Sequence, residues 1–591
     1  MANQEDLPIS VEFNVPATMR DGTVLRANVY RPAGAGRGPV LLTRLPYGKD
    51  LPIAAASLDA VQAARRGYVV IIQDTRGRFA SEGDWYPYRN EPLDGFDTIE
   101  WAARLPYSNG QVGMFGGSYF GYTQWLAAIN QPPSLKVMAP NITWNDPLNG
   151  GYYRGGAFEL GKLANWSLLM GLAVLIRRHR GDYGRLGQDI AALVHEMDTI
   201  GTEGGWSLPL QEFAPFKELD VAPSFFDILK HPMDRAFFDP ITVRGKHEQV
   251  TVPSLNMGGW YDIFLQDTIG NFKAMREYGS TPQARQSKLL IGPWSHGGTM
   301  NPIGERNFGF AGTAGFIDMR GDLGSMQLRW FDTWLKGIDT GMLNEAPIKI
   351  FVMGANKWRD EYEWPLARAI ETRYYLHSNG KANTLHGDGT LSTEPPTNEA
   401  ADHYDYDPAN PVMTRGGALL LSSEYPAGPY DQRGTESRED VLVYSTPPLE
   451  HDIEVTGPIT VHLWAVSGAP DTDFVARLVD VYPDGYAQNL TDGIIRARYR
   501  NFNQGEAPSL IEPGHVYEYD IDLWSTSNLF KAGHRIRLDV TSSNFPRWDR
   551  NPNTGHEFGS DAALAVAHQT ILHDSDHPSY AMLPVVPGEM S

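Results

Sequence analysis

The chain has 591 residues and a mass of 65.7 kDa, too much for one core; at about 150 residues per domain it suggests up to four units. Its 50 Lys+Arg against 71 Asp+Glu leave a net charge of −21, which opposes affinity for nucleic acid or an anionic membrane. With 0 Cys, disulfides, thiolate nucleophiles, Cys-ligated zinc and iron–sulfur clusters are excluded, and 41% hydrophobic residues can build sizeable cores.

The start, MANQEDLPIS, has neither a basic nor an apolar leader segment, so no signal peptide is expected. Strands are then predicted at 24–30, 39–43 (PVLLT), 68–73 (YVVIIQ) and 112–115 (VGMF), with helices at 58–66, 95–105 and 120–128. Continuous apolar strands alternating with helices imply a parallel sheet covered on both faces. From 146 to 248 the pattern turns helical, with helices at 160–178, 189–200 and 224–229, and reads as an insertion in the sheet domain. Its most apolar stretch, 163–176, contains Asn165 and Ser167 and falls short of the ~20 residues of a membrane span. A cytoplasmic protein without membrane partners is expected. The sheet pattern resumes with strands at 250–257, 287–291 and 348–353 and helices at 264–276 and 323–336.

Beyond 361 the helical period fades. Short alternating runs at 372–377, 441–445, 459–465, 474–482, 494–499, 516–522 and 535–541 predict an all-β sandwich of the jelly-roll kind. The Gly/Pro/Ser/Thr-rich stretch 378–428 is expected to be long loops. The domain reading is therefore 1–145 and 249–360 for two parts of one sheet domain, 146–248 for a helical cap and 361–591 for the jelly roll.

The most specific motif is Gly113-Met114-Phe115-Gly116-Gly117-Ser118-Tyr119-Phe120-Gly121. A strand, small residues flanking a serine, then a helix describe a nucleophile elbow, although the second glycine falls at +3 rather than the usual +2. The turn sets Ser118 at a helix N-terminus, where the Tyr119 N–H is a natural donor to an oxyanion. Alone, the motif is also compatible with a Gly-rich turn carrying an incidental serine. An acid and a histidine must follow. Asp262 comes just after one predicted strand and His296 just after the next, on the sheet edge that carries Ser118. Each has its own bland reading, helix cap for Asp262 and loop partner for His296; together and in order they describe a serine hydrolase triad.

With these segments the chain resembles the cocaine esterase-like acyl hydrolases of the α/β-hydrolase superfamily, the group that includes X-Pro dipeptidyl-peptidases and α-amino acid ester hydrolases. The likeness rests on Arg44-Leu45-Pro46-Tyr47, Asp74-Thr75-Arg76-Gly77 with Ser81-Glu82-Gly83, Gly116–Gly121, Gly259-Trp260-Tyr261-Asp262 and Gly292-Pro293-Trp294-Ser295-His296. The glycine at +3 is this group's form of the motif. The resemblance implies an α/β-hydrolase domain with a helical cap and a C-terminal jelly roll. It implies Ser118 as nucleophile, His296 as base, Asp262 as orienting acid, and Tyr47 as the phenol completing the oxyanion hole beside Tyr119. It implies ester cleavage, with amide cleavage of the X-Pro dipeptidyl-peptidase or acylase type as the alternative, and a homodimer by analogy. α-Amino acid ester hydrolases carry acids two and three positions after the catalytic Asp, to hold an ammonium; here Phe264 and Leu265 stand there.

Phe120, Trp166, Trp260, Tyr261 and Trp294 are candidate pocket-lining residues, each of which also suits plain core. Asp74 and Arg76 are read as an ion pair or loop brace, Asp94 and Asp97 as helix caps, and Asp471 and Asp473 as solvated turns. No cofactor or metal is expected; His195-Glu196 lacks a second histidine four residues on. A competing reading is a carbohydrate-binding protein, based on Trp524, Phe545 and Trp548 as exposed aromatics of the sandwich.

Overall fold

The computed structural model describes residues 8–34, 36–317 and 321–588. Ten strands form one sheet: β1 (Ile9–Thr18), β2 (Val24–Pro32), β3 (Gly38–Leu45), β4 (Val69–Asp74), β5 (Ser108–Gly117), β6 (Leu135–Asn141), β7 (Leu255–Tyr261), β8 (Lys288–Ser295), β9 (Ile348–Val352) and β10 (Lys357–Glu361). Their spatial order is β1-β2-β4-β3-β5-β6-β7-β8-β9-β10. From β4 through β3 to β9 every pairing is parallel, whereas β1, β2 and β10 join antiparallel. β4, β7 and β8 are buried along their whole length, as a sheet covered on both faces requires.

The covering helices are α1 (Ala60–Arg65), α2 (Glu91–Ala103) and α3 (Tyr119–Ala128) in the first half. In the middle come α4 (Leu160–Arg178), α5 (Tyr183–Thr199) and α6 (Pro223–Lys230), and later α7 (Leu265–Tyr278) and α8 (Leu323–Lys336). α4 matches the expected range and is longer than the apolar run 163–176 suggested. By length and composition it could cross a membrane, but Leu160, Leu163, Leu168, Met170 and Leu175 are buried in the protein. Its last turn is tied down as well: Arg177 donates to the Ser81 and Gly83 carbonyls, and Arg178 to the Leu219 carbonyl.

Strands escaped the sequence reading where alternation was weak or the strand lay at an edge: β1, β6, β10, and in the second domain Thr390–Ser392 and Asp402–Tyr406, both within the stretch 378–428 expected to be loops, Ala567–Leu572 and Tyr580–Val586. That domain is an eleven-stranded sheet built on the 15-residue antiparallel pair Ile453–Ser467 and Val516–Phe530. Backbone bonds stitch it to the first sheet, since Met353 N–H donates to Ser527 O and Leu529 N–H to Met353 O.

The aromatics read as exposed are inside the β domain. Trp524, Phe545 and Trp548 are 2% exposed or less. Arg154 lies 3.8 Å over the Trp524 ring, and the Trp548 indole donates to Glu159. Trp524 and Trp548 dock the β domain onto the segment preceding α4 and Phe545 packs on Trp206 beyond α5, which removes the basis of the carbohydrate-binding reading. Asp471 and Asp473 are likewise buried, paired with Arg498 and Arg496, rather than solvated. Asp94 and Asp97 lie inside α2 and pair with Arg76 and Arg20, so they are braces and not caps. The Asp74–Arg76 loop is a brace as expected, with Asp74 beside Lys49 and Arg76 between Asp94 and Asp21.

Candidate active site

Ser118 joins β5 to α3 with φ 55 and ψ −125, a conformation rare for a non-glycine residue. Close packing explains the small neighbours. A Cβ on Gly116 would stand 2.3 Å from the Phe120 ring, and one on Gly121 would stand 2.9 Å from the Asn141 carbonyl and from Thr143. The glycine at +3 therefore lets α3 pass the end of β6, while Phe120 at +2 folds over Gly116. The strained turn is held from outside: Ser118 N–H donates to the Asn141 and Ile142 carbonyls, and Thr143 donates to Ser118 O.

Asp262 follows β7 and His296 follows β8. His296 Nδ1 lies 2.8 Å from Asp262 Oδ2, and His296 Nε2 lies 3.0 Å from the Ser118 hydroxyl oxygen. Asp262 is fully buried, and the Phe264 N–H donates to its other oxygen at 2.7 Å. A carboxylate that accepts the Nδ1 proton leaves the Nε2 lone pair facing the serine hydroxyl.

Tyr47 follows β3. Its ring meets Tyr119 and Phe120 edge-on at 6.4 and 6.1 Å. Its hydroxyl accepts the Trp166 indole N–H at 3.1 Å. Burial pushes the Tyr47 phenol above its ordinary pKa, opposed by hydrogen bonding to Trp166 and Ser118. The phenol is therefore protonated at neutral pH, with its oxygen accepting from Trp166. Arg78 braces this corner, donating to the Pro46 and Met170 carbonyls and lying over the Trp85 ring. The Tyr119 side chain points into the core, where its hydroxyl donates to Glu91. Its N–H opens α3 and so has no intrahelical acceptor.

Of the expected lining residues, Trp166 and Phe120 stand at the site through their contacts with Tyr47. Trp260, Tyr261 and Trp294 differ from the expectation. Each is 2% exposed or less, and each donates to a buried carbonyl, that of Phe351, Asn489 and Gly312 respectively. They pack the strand ends and the domain junction. Sequence reasoning missed Lys162 and Trp144 as site neighbours and named Phe264 only as standing where related enzymes hold an acid. Phe264 packs edge-on against His296 at 5.3 Å and stacks on Trp144 at 6.1 Å. The four-residue spacing of Lys162 and Trp166 on one helix was the available signal. A cleft of about 510 Å³ along the outer face of α7 is lined by Gln266, Gly270, Lys273 and Trp364 and holds none of the three triad side chains.

Residues 21–298 match the family model for X-Pro dipeptidyl-peptidase (S15 family), and residues 340–581 match that for the X-Pro dipeptidyl-peptidase C-terminal non-catalytic domain. The cocaine esterase of Rhodococcus sp. (strain MB1 Bresler) is 39% identical over 586 residues, covering 98% of this chain and 99% of that protein. The aminopeptidase of the marine sediment archaeon Thaumarchaeota archaeon superposes with a TM-score of 0.78 at 26% identity, over 99% of this chain and 98% of that one. An α-amino acid ester hydrolase shares the fold, with a TM-score of 0.77 at 24% identity over 99% and 98% of the two chains. The chain belongs to the cocaine esterase-like group of the X-Pro dipeptidyl-peptidase (S15) family and is a serine hydrolase.

Proposed function

We propose that the chain hydrolyses carboxylic esters through an acyl-enzyme on Ser118. The observation that carries this reading is the unbroken relay from the Ser118 hydroxyl through both nitrogens of His296 to the buried Asp262. Ser118 attacks the ester carbonyl while His296 Nε2 takes its proton. The Tyr47 hydroxyl and the Tyr119 N–H donate to the oxyanion. His296 then protonates the departing alcohol and, in the second half, activates the water that frees the acid. Asp262 holds the tautomer and stabilises the imidazolium without taking the proton. The site lies within an α/β-hydrolase domain (1–145 and 249–360), with 146–248 as its cap and 361–591 as a jelly roll packed on both.

Ester rather than α-aminoacyl substrates are supported by the wall beside His296. Phe264 holds an aromatic ring there, and Leu265 is buried in core. Neither offers a carboxylate to a free α-amino group. Amide cleavage would use the same relay, and comparing Gly-Pro-p-nitroanilide with short acyl esters separates the two. The direct test is labelling with a fluorophosphonate. A single adduct on Ser118 and a loss on the order of 10⁶ in kcat toward a p-nitrophenyl ester in Ser118→Ala are expected; near-normal turnover by that variant would refute the assignment.

A further inference from the structure

α4 carries two side chains on one stripe, Lys162 and, one turn later, Trp166. Trp166 reaches Tyr47. Lys162 is only 5% exposed, and burial lowers the pKa of its ammonium while Glu159 opposes that shift. Its Nζ donates to the Gly150 carbonyl at 2.7 Å and stands 3.6 Å from Glu159. It also sits 5.1 Å from the centre of the Phe264 ring, the ring that packs against His296 at 5.3 Å. Two short contacts in series thus connect a buried cation to the catalytic imidazole. The ammonium–imidazole separation is no more than the sum of those two distances.

The local backbone is shaped for this. Gly150 has φ 134 and presents its carbonyl to Lys162. A Cβ on Gly151 would fall 1.9 Å from the Trp144 ring, so glycine there lets Trp144 close on Phe264. A lysine ammonium has three donors. Among the described residues its polar partners are Gly150 O and the more distant Glu159, whose other oxygen accepts the Trp548 indole N–H. One donor therefore remains, on a nitrogen 5.1 Å from the centre of the Phe264 ring. Desolvating an ammonium is costly, and an anionic substrate group entering beside it would recover part of that cost.

We propose that Lys162 is a specificity-determining residue that selects esters carrying a carboxylate at the far end of the acyl chain, the half-esters of dicarboxylic acids. This rests on the Ser118 ester-hydrolysis reading and adds the substrate class to it. Where α-amino acid ester hydrolases place acids for an ammonium, this chain sets an aromatic ring with an ammonium over it. The ammonium there offers a donor where those enzymes offer acceptors, which suits a carboxylate rather than an amine, although its charge is shared with Glu159 at 3.6 Å. In the reaction itself, Ser118 Oγ bonds to the acyl carbon, the alcohol leaves with the proton from His296, and water releases the dicarboxylate.

The test compares two substrates of equal length, monomethyl adipate and methyl hexanoate, with the acid released by the full-length enzyme followed in a pH-stat. A charge-assisted contact predicts that Lys162→Met lowers the ratio of their kcat/KM values, adipate over hexanoate, by about 10–100-fold, chiefly through the KM of the adipate ester. Because Lys162→Met leaves Glu159 beside an apolar side chain, Glu159→Gln/Lys162→Met is measured in parallel and should show the same fall. Fluorophosphonate labelling of Ser118 verifies that each variant is folded. A ratio equal in wild type and both labelled variants overturns the selectivity while leaving the ester-hydrolase reading intact. Failure of the wild type to label or to cleave methyl hexanoate overturns both.

Discussion

Removing the Tyr47 hydroxyl isolates one element of the machinery. The phenol stands beside Ser118 and its oxygen takes the Trp166 N–H; in the proposed mechanism its proton goes to the developing alkoxide. Loss of one oxyanion donor costs about 10²–10³ in kcat, so Tyr47→Phe should reduce turnover of p-nitrophenyl butyrate by that factor with KM little changed. Because burial raises the phenol's pKa, the hydroxyl stays protonated well above neutrality. The wild-type to Tyr47→Phe ratio should therefore be flat between about pH 7 and pH 9. Trp166 is a positioning residue. A neutral hydrogen bond nets about 0.5–1.5 kcal/mol, so Trp166→Phe should cost about two- to tenfold in kcat, and that cost should vanish in the Tyr47→Phe background. Steady-state kinetics of the four proteins completes the cycle. A Tyr47→Phe enzyme within threefold of wild type would refute the oxyanion role. A Trp166→Phe cost undiminished without the phenol would refute the coupling.

Other consequences follow from the same contacts. Asp262→Asn keeps the shape but presents the wrong proton to His296 Nδ1, and should lower kcat by roughly 10⁴; a loss below tenfold would show that Asp262 does not set the tautomer. Asp267, on α7, accepts the Asn145 and Asp146 N–H groups. Burial and the charge of Asp146 push its pKa up to about 7. An unfolded aspartate titrates near ~3.9, so the native state holds this proton more tightly. That stabilisation is complete below about pH 4 and is lost as pH rises through about 7, by up to about 4 kcal/mol. Asp267→Asn, which can still accept both N–H groups, should therefore gain Tm relative to wild type as pH rises across that window. A difference independent of pH in thermal melts would show that Asp267 is not held protonated.

The relay was legible because its constraints are local. An elbow at φ 55 tolerates only small neighbours, so Gly116, Gly117 and Gly121 announce it in the chain. Strand-end positions for Asp262 and His296 follow from apolar runs that end in turns. The aromatics were not legible in the same way. Trp260, Tyr261 and Trp294 flank the same motifs, yet burial depends on which face meets the second domain, and that contact joins residues hundreds of positions apart, as Tyr261 with Asn489 does. The buried pairs Asp473–Arg496 and Asp471–Arg498 read as surface for the same reason. A charge's sequence neighbours do not show whether a distant arginine desolvates with it.

By itself the amino-acid order determined the alternation of parallel strands and helices, the β-rich second half, and a serine, an acid and a histidine at successive strand ends. Backbone sterics and hydrophobic period act over a few residues and leave a readable trace. Only the tertiary structure decided what surrounds those three groups. Trp166 on the Tyr47 oxygen, Phe264 between His296 and Trp144, and Lys162 above that ring are brought together by the packing of α4 against the sheet and the β domain. Such contacts depend on long-range close packing and charge desolvation, which have no period in the chain.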